Sequence, residues 1–176
     1  GFFYDPNDLS TMFQDSAGTV PVTAVEQPVG LLLDKRRPRG GELFSDGAVI
    51  FSGPSERVSP GVYRVYSAAG EYTMVNFRPT PGAVIGGWYE LTFTVDSIGV
   101  AGAGMVLEGT SALSSAVVFN TVGKKTIIVQ TTANYIGIKR ASNAIDYQIS
   151  GVSIRELPGN HAYQTTSASR PILRDV

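Results

Sequence analysis

Hydrophobic and polar positions alternate without interruption from Trp88 to Asp96. Tyr89, Leu91, Phe93 and Val95 fall on one side, and Trp88, Glu90, Thr92 and Thr94 on the other. A period of two belongs to an extended strand, whose successive side chains point to opposite faces. The first set is the expected core face, and the second faces solvent or ligand. Comparable runs recur near residues 47–52, 62–68, 71–77, 103–108, 115–121, 124–131, 134–139 and 147–156. Turn formers separate them, and Ser67-Ala68-Ala69-Gly70-Glu71 and Thr121-Val122-Gly123-Lys124 read as tight hairpins. Ile149 lies out of phase with Val152 and Ile154, and a bulge at Gly151 would restore the pattern. The reading predicts one antiparallel β-sandwich over residues 42–156, with Ile127, Val129, Ile136, Ile138, Val152 and Ile154 joining the core.

The two ends have a different texture. Residues 1–41 are rich in turn signals, with Asn7 or Asp8 placed to cap one short helical turn. Pro21 and Pro28 confine strands there to an edge or to the short run Val29–Leu33. Residues 157–176 return to turn-rich, polar sequence. The chain thus divides into an N-terminal flank (1–41), a sandwich (42–156) and a C-terminal flank (157–176).

Composition supports the all-β reading. Hydrophobic residues make up 43% and charged residues 16%, with 20 Gly and 10 Pro. A net charge of −1 gives no electrostatic case for nucleic acid or an anionic membrane. The local exception, Lys35-Arg36-Arg37-Pro38-Arg39, reads as a solvated linker before Gly40-Gly41. Cysteine is absent, which removes disulfides and thiolate chemistry. No apolar run approaches the ~20 residues of a membrane helix. The chain opens on Gly1 with no basic-then-apolar leader, so a longer native protein is expected.

Candidate chemistry is sparse. The single histidine, His161, sits in a turn where a packing role competes with that of a catalytic base. Glu71, Glu90, Asp96 and Glu108 lie in or beside strands, where a hydrolytic carboxylate pair competes with plain surface solvation. Gly99-Val100-Ala101-Gly102-Ala103-Gly104 lacks the Lys-Ser/Thr of a phosphate loop and reads as a loop between strands. Sugar binding asks for less: an aromatic platform and a few polar groups. Trp88, the single tryptophan, is the first candidate, followed by Tyr135 and Tyr147. The alternative for Trp88 is a wedge under a loop as a core cap.

The flanks also carry a resemblance. Tyr4-Asp5-Pro6-Asn7-Asp8-Leu9-Ser10-Thr11-Met12-Phe13-Gln14-Asp15-Ser16-Ala17-Gly18-Thr19 and Gln27-Pro28-Val29-Gly30-Leu31-Leu32-Leu33-Asp34-Lys35 resemble the opening of a family of phage tail proteins with a concanavalin-A-like lectin fold. In that family an Asp-Lys pair runs almost directly into Gly-Asn-His-Ala and Arg-Pro. Here the continuation appears only at Gly159-Asn160-His161-Ala162 and Arg170-Pro171. The middle therefore looks like a domain inserted into a lectin-like loop. Gly41–Gly47, Gly87–Val95 and Val152–Leu157 are similar to jelly-roll carbohydrate-binding modules. Such modules often hold Ca²⁺ through an Asp just before the Val-Ser motif of the last strand, and Ser150 stands in that place. No metal and no cofactor is expected.

The resemblance implies a non-catalytic structural module of a phage tail or fibre in the virion, which binds glycan on the host surface. It also leaves open an accessory carbohydrate-binding domain of a tail depolymerase and a purely architectural connector. The implied partners are other virion proteins, further copies of the chain (a trimer, for instance) and host surface polysaccharide, with no nucleic acid and no membrane.

Overall fold

The computed structural model describes residues 3–35, 39–159 and 161–174. Arg36, Arg37 and Pro38 of the basic run, and Asn160 of the split motif, lie outside the described residues. In chain order the strands are β1 (Met12–Phe13), β2 (Leu31–Leu32), β3 (Val49–Ser52), β4 (Glu56–Ser59), β5 (Val62–Ser67), β6 (Met74–Phe77), β7 (Trp88–Val100), β8 (Met105–Glu108), β9 (Gly123–Gln130), β10 (Ile136–Arg140), β11 (Ile145–Glu156) and β12 (Ala162–Tyr163). Helix among the described residues is limited to one α-helical turn, α1 (Ala112–Ser115), and three short 3₁₀ turns. One of these, Leu9–Thr11, is capped by the Asp8 carboxylate, which accepts the Ser10 N–H.

Two antiparallel sheets face each other, one ordered β4-β5-β11-β7-β9 and the other β3-β6-β10-β8. The architecture is the β-sandwich that the alternation predicts. Tyr89, Leu91, Phe93 and Val95 are all buried and meet Phe77, Leu107, Ile136 and Ile138 from the opposite sheet. Aromatic contacts tie the layers: Phe93 meets Phe119 edge-on at 5.0 Å, and Tyr63 meets Phe77 at 5.6 Å. Ile127, Val129, Val152 and Ile154 are buried in the same core.

The β11–β7 register slips between Ser150 and Ser153, and Gly151 there has φ +60°. A left-handed backbone position favours glycine because a Cβ is strained in it. The extra residue lets Ile149 and Val152 both point inward despite their odd separation.

Three segments depart from the sequence reading. The Ser67–Glu71 turn does not close a hairpin, because β5 and β6 belong to different sheets and the chain crosses over between them. The Thr121–Lys124 turn likewise leads from the β8 side of the sandwich to β9, which pairs with β7. The segment expected as a strand over 115–121 is no ladder: α1 precedes it, and Phe119 makes an isolated bridge to Met105. Conversely, β4 forms an edge strand from four exposed residues that carry no burial alternation to read.

The flanks build a third layer. β1, β2 and β12 form a small antiparallel sheet, with Met12 opposite Leu32 and Ala162 opposite Leu32 on its other side. The bridge Pro28–Ile172 extends the pairing of the two ends. This layer lies on the outer face of the five-stranded sheet, where Leu31, Leu33, Trp88, Ile128 and Leu157 form a second apolar cluster joined by Phe13. The Ala17 carbonyl accepts the Ile128 N–H at 3.1 Å, so the N-terminal flank also covers part of the β9 edge.

Candidate functional site

Trp88 opens β7 on the outward face, as its parity requires, but the terminal layer covers that face. Trp88 as a whole is 8% exposed. His161 packs against it edge-on at 5.4 Å and Tyr163 lies tilted at 5.6 Å. The indole therefore caps the second apolar cluster and offers no open face to a sugar. Tyr147 is fully buried, and its hydroxyl donates to the Ala101 carbonyl at 2.9 Å. It shares the inward face of β11 with Ile145 and Ile149, so its ring belongs to the core. Alternation along β11 carried that information, and it outweighs the aromatic character of the side chain.

A cleft of about 230 Å³ runs along the junction of the flanks, lined among others by Thr11, Leu33, Asp34, Lys35, Arg39 and His161. Its polar groups are already engaged, several of them with residues outside the lining. The Asp34 carboxylate accepts the Phe3 N–H at 2.9 Å. Lys35 pairs with Asp5 at 3.0 Å and Asp8 at 2.7 Å, and Arg39 pairs with Glu90 at 2.7 Å. Hydrogen bonding to Lys35 pulls the Asp8 carboxyl down to about 2. His161 Nδ1 accepts the Asp34 N–H at 3.0 Å, while Nε2 lies 3.0 Å from the Leu157 carbonyl. That fixes the tautomer with the proton on Nε2. Burial pushes its pKa below the ordinary value of 6.5, so the ring is neutral.

Tyr135 is placed differently. It precedes β10 and is half-buried on the outer face of the four-stranded sheet, which the terminal layer does not cover. Its hydroxyl lies 3.5 Å from Glu108 Oε1, which also accepts the Tyr72 hydroxyl at 3.2 Å. Lys139 pairs with the other oxygen of Glu108. Desolvation, with Glu108 beside it, pushes the Tyr72 hydroxyl up to about 12. Val75 and Phe77 point into the core, so Met74 and Asn76 point to this outer face. The register sets Asn76 opposite Gly137 and Gly137 opposite Glu108, a row across three strands. The Met74 side chain lies against Gly137, where a Cβ would stand 2.6 Å from its sulfur.

Sequence reasoning weighed Tyr135 and Glu108 separately and did not join them to Asn76 or Lys139. The parity of 72-74-76 and of 135-137-139 was the available signal. Strand neighbours set the rest, because Tyr72, Glu108 and Tyr135 converge only once β6, β10 and β8 are paired.

The remaining carboxylates are dispersed. Asp96 accepts the Ser150 hydroxyl at 2.8 Å, and Glu71 accepts the Ala68 N–H at 3.2 Å. Glu42 reaches the Val152-Ser153 segment, but its carboxylate takes the Ile154 N–H at 2.8 Å, the Phe44 N–H at 2.9 Å and the Ser153 hydroxyl. Among the described residues no three His, Asp or Glu side chains are grouped to hold a metal ion. No protein-family model matches this chain, and no curated protein matches it in sequence.

Proposed function

We propose that this chain is a non-catalytic structural module of a phage tail or fibre that binds host surface glycan. The resemblance of the two flanks motivates the virion assignment. One observation supports it most directly: β2 and β12 pair, and the Asp34 N–H donates to His161 Nδ1 at 3.0 Å. The two halves of the split motif thus meet in space, as they would if residues 42–156 were an insertion into a lectin-like loop. The glycan reading draws on Tyr72, Tyr135 and Glu108, a ring-and-carboxylate group on a sheet face that the flanks leave open.

The test has two arms. Mass spectrometry of purified virions should find the chain among tail proteins, and its absence from tails removes the structural assignment. Titration of the assembled protein with host surface polysaccharide should give saturable binding without release of reducing ends. Release of reducing ends would make the chain a depolymerase. Binding to tails with none to polysaccharide would leave an architectural connector.

A further inference from the structure

We infer that the chain binds copies of itself, with the Val84–Ile85 turn of one copy seated in an apolar groove on the terminal layer of the next. The inference stands apart from the glycan reading and from the virion assignment, because it rests on exposed apolar surface alone. Ile85 is 71% exposed and Val84 64%, the highest values among the large hydrophobic residues described. They cannot tuck away, since hydrogen bonds fix the turn on both sides. The Val84 N–H donates to the Tyr89 hydroxyl at 2.8 Å. The Val84 carbonyl accepts the Gly87 N–H at 2.9 Å and the Thr131 hydroxyl at 2.6 Å. The Gly86 N–H donates to the Thr131 carbonyl at 2.8 Å, and Gly86 has φ +82°. Two aliphatic side chains are thus held out in water on a fixed backbone, so docking them costs little further ordering.

The same molecule carries a receptor for them. Leu31 turns towards the sandwich, so by alternation Leu32 and its partner Ala162 turn away from it. There Val29, Leu32, Ala162, Tyr163, Gln164 and Pro171 line a groove of about 180 Å³. Its backbone is already paired: the Val29 N–H donates to the Pro171 carbonyl and the Gln164 N–H to the Gly30 carbonyl, both at 2.8 Å. The Gln164 side-chain oxygen accepts the Thr166 N–H at 3.0 Å. The groove therefore selects by shape and apolar surface. Because Val84 and Ile85 are exposed, their own groove does not hold them, and a second copy is needed to bring turn and groove together.

Charge favours a second copy as the occupant. None of the lining residues named is charged, and neither is any of residues 79–89. Arg170, next to the lining in sequence, donates its Nε to the Gln164 carbonyl at 3.2 Å. Arg78 and Glu90 bracket the turn in sequence, and Glu90 is paired with Arg39. Interface centres are depleted of charge, because a charge buried without a counter-charge is costly. An uncharged turn entering an uncharged groove meets that condition, whereas a charged peptide would strand its charges there. Turn and groove are different surfaces, so the contact is heterologous. Repeated from copy to copy, it closes into a ring or grows into a filament.

The experiment is sedimentation equilibrium of the full chain from ~10 µM to ~1 mM. The wild type should associate as concentration rises. Ile85→Asp and Ala162→Glu, each by itself, should weaken that association at least about tenfold. An equimolar mixture of the two should restore one-to-one dimers and nothing larger. In it the intact turn of the Ala162→Glu chain fits the intact groove of the Ile85→Asp chain, while the second contact sets two carboxylates against each other. Both positions are exposed, melting curves check folding, and Pro171→Glu blocks the same groove if Ala162→Glu unfolds. A wild type that stays monomeric at ~1 mM overturns the self-association and leaves both surfaces to partners other than this chain. Association that Ile85→Asp does not change overturns the role of the turn. Variants that each weaken association but fail to restore it when mixed overturn the pairing of turn with groove. The virion mass spectrometry and the polysaccharide titration above decide the proposed function separately.

Discussion

The backbone N–H of Asp34 donates to Nδ1 of His161 at 3.0 Å, across 127 positions of sequence. This bond ties the end of the N-terminal flank to the start of the C-terminal one. It holds only while the imidazole is neutral, since a protonated Nδ1 would confront the N–H with a second donor. Trp88 packs on the same ring, and Asp34 is the charge that acts on it.

Acid should therefore loosen the terminal layer. Burial lowers the folded pKa of His161 below 6.5, with the Leu157 hydrogen bond and Asp34 opposing in part. As the pH falls below that value, the unfolded chain takes up a proton that the folded chain resists. The stability contributed by the neutral ring is present above 6.5 and is lost as pH falls through the folded pKa. The melting temperature should decline over this window, and His161→Gln should flatten the decline while lowering the melting temperature at neutral pH. An equal slope in the variant would assign the pH dependence to other groups.

Trp88→Ala should remove the ring on which the flanks rest. The expected loss is ~3–5 kcal/mol, with limited proteolysis cutting first within residues 1–34. Saccharide binding by the folded variant should match wild type, because the ring is covered in the native protein. A folded Trp88→Ala protein that no longer binds sugar would place the ligand at the flank junction instead.

Phe93→Ala opens a hole at the centre of the sandwich, where Phe93 is fully buried against Phe119. The cost should be ~3–5 kcal/mol. Denaturant unfolding would show it as a lower midpoint with an unchanged slope.

Gly151→Ala tests the bulge. With φ at +60° the position strains any residue bearing a Cβ, although the space beside it is open apart from Thr94 Oγ1 at 3.7 Å. The variant should lose about 1 kcal/mol, measured in the same unfolding series, with no change in saccharide affinity.

The period-two pattern of the chain determined the architecture. Alternation from Trp88 to Asp96 separated the core face from the outer face correctly, because burial on one side of a sheet is enforced residue by residue. The broken phase at Ile149 located the bulge for the same reason. The pattern did not reveal that the Ser67–Glu71 and Thr121–Lys124 turns are crossovers between sheets, since a turn's composition fixes how the chain bends and not which strand receives it. Nor did it mark β4, an edge strand exposed along its whole length. The fate of the outer faces was decided only in three dimensions. Two sheet faces carried aromatic residues of outward parity, and sequence favoured Trp88 on one of them. The flanks, remote in sequence, pair with each other and cover that face, leaving Tyr72 and Tyr135 on the other. Parity is a property of neighbouring residues along one strand, whereas coverage depends on segments more than a hundred positions apart, and only the packed structure brings those together.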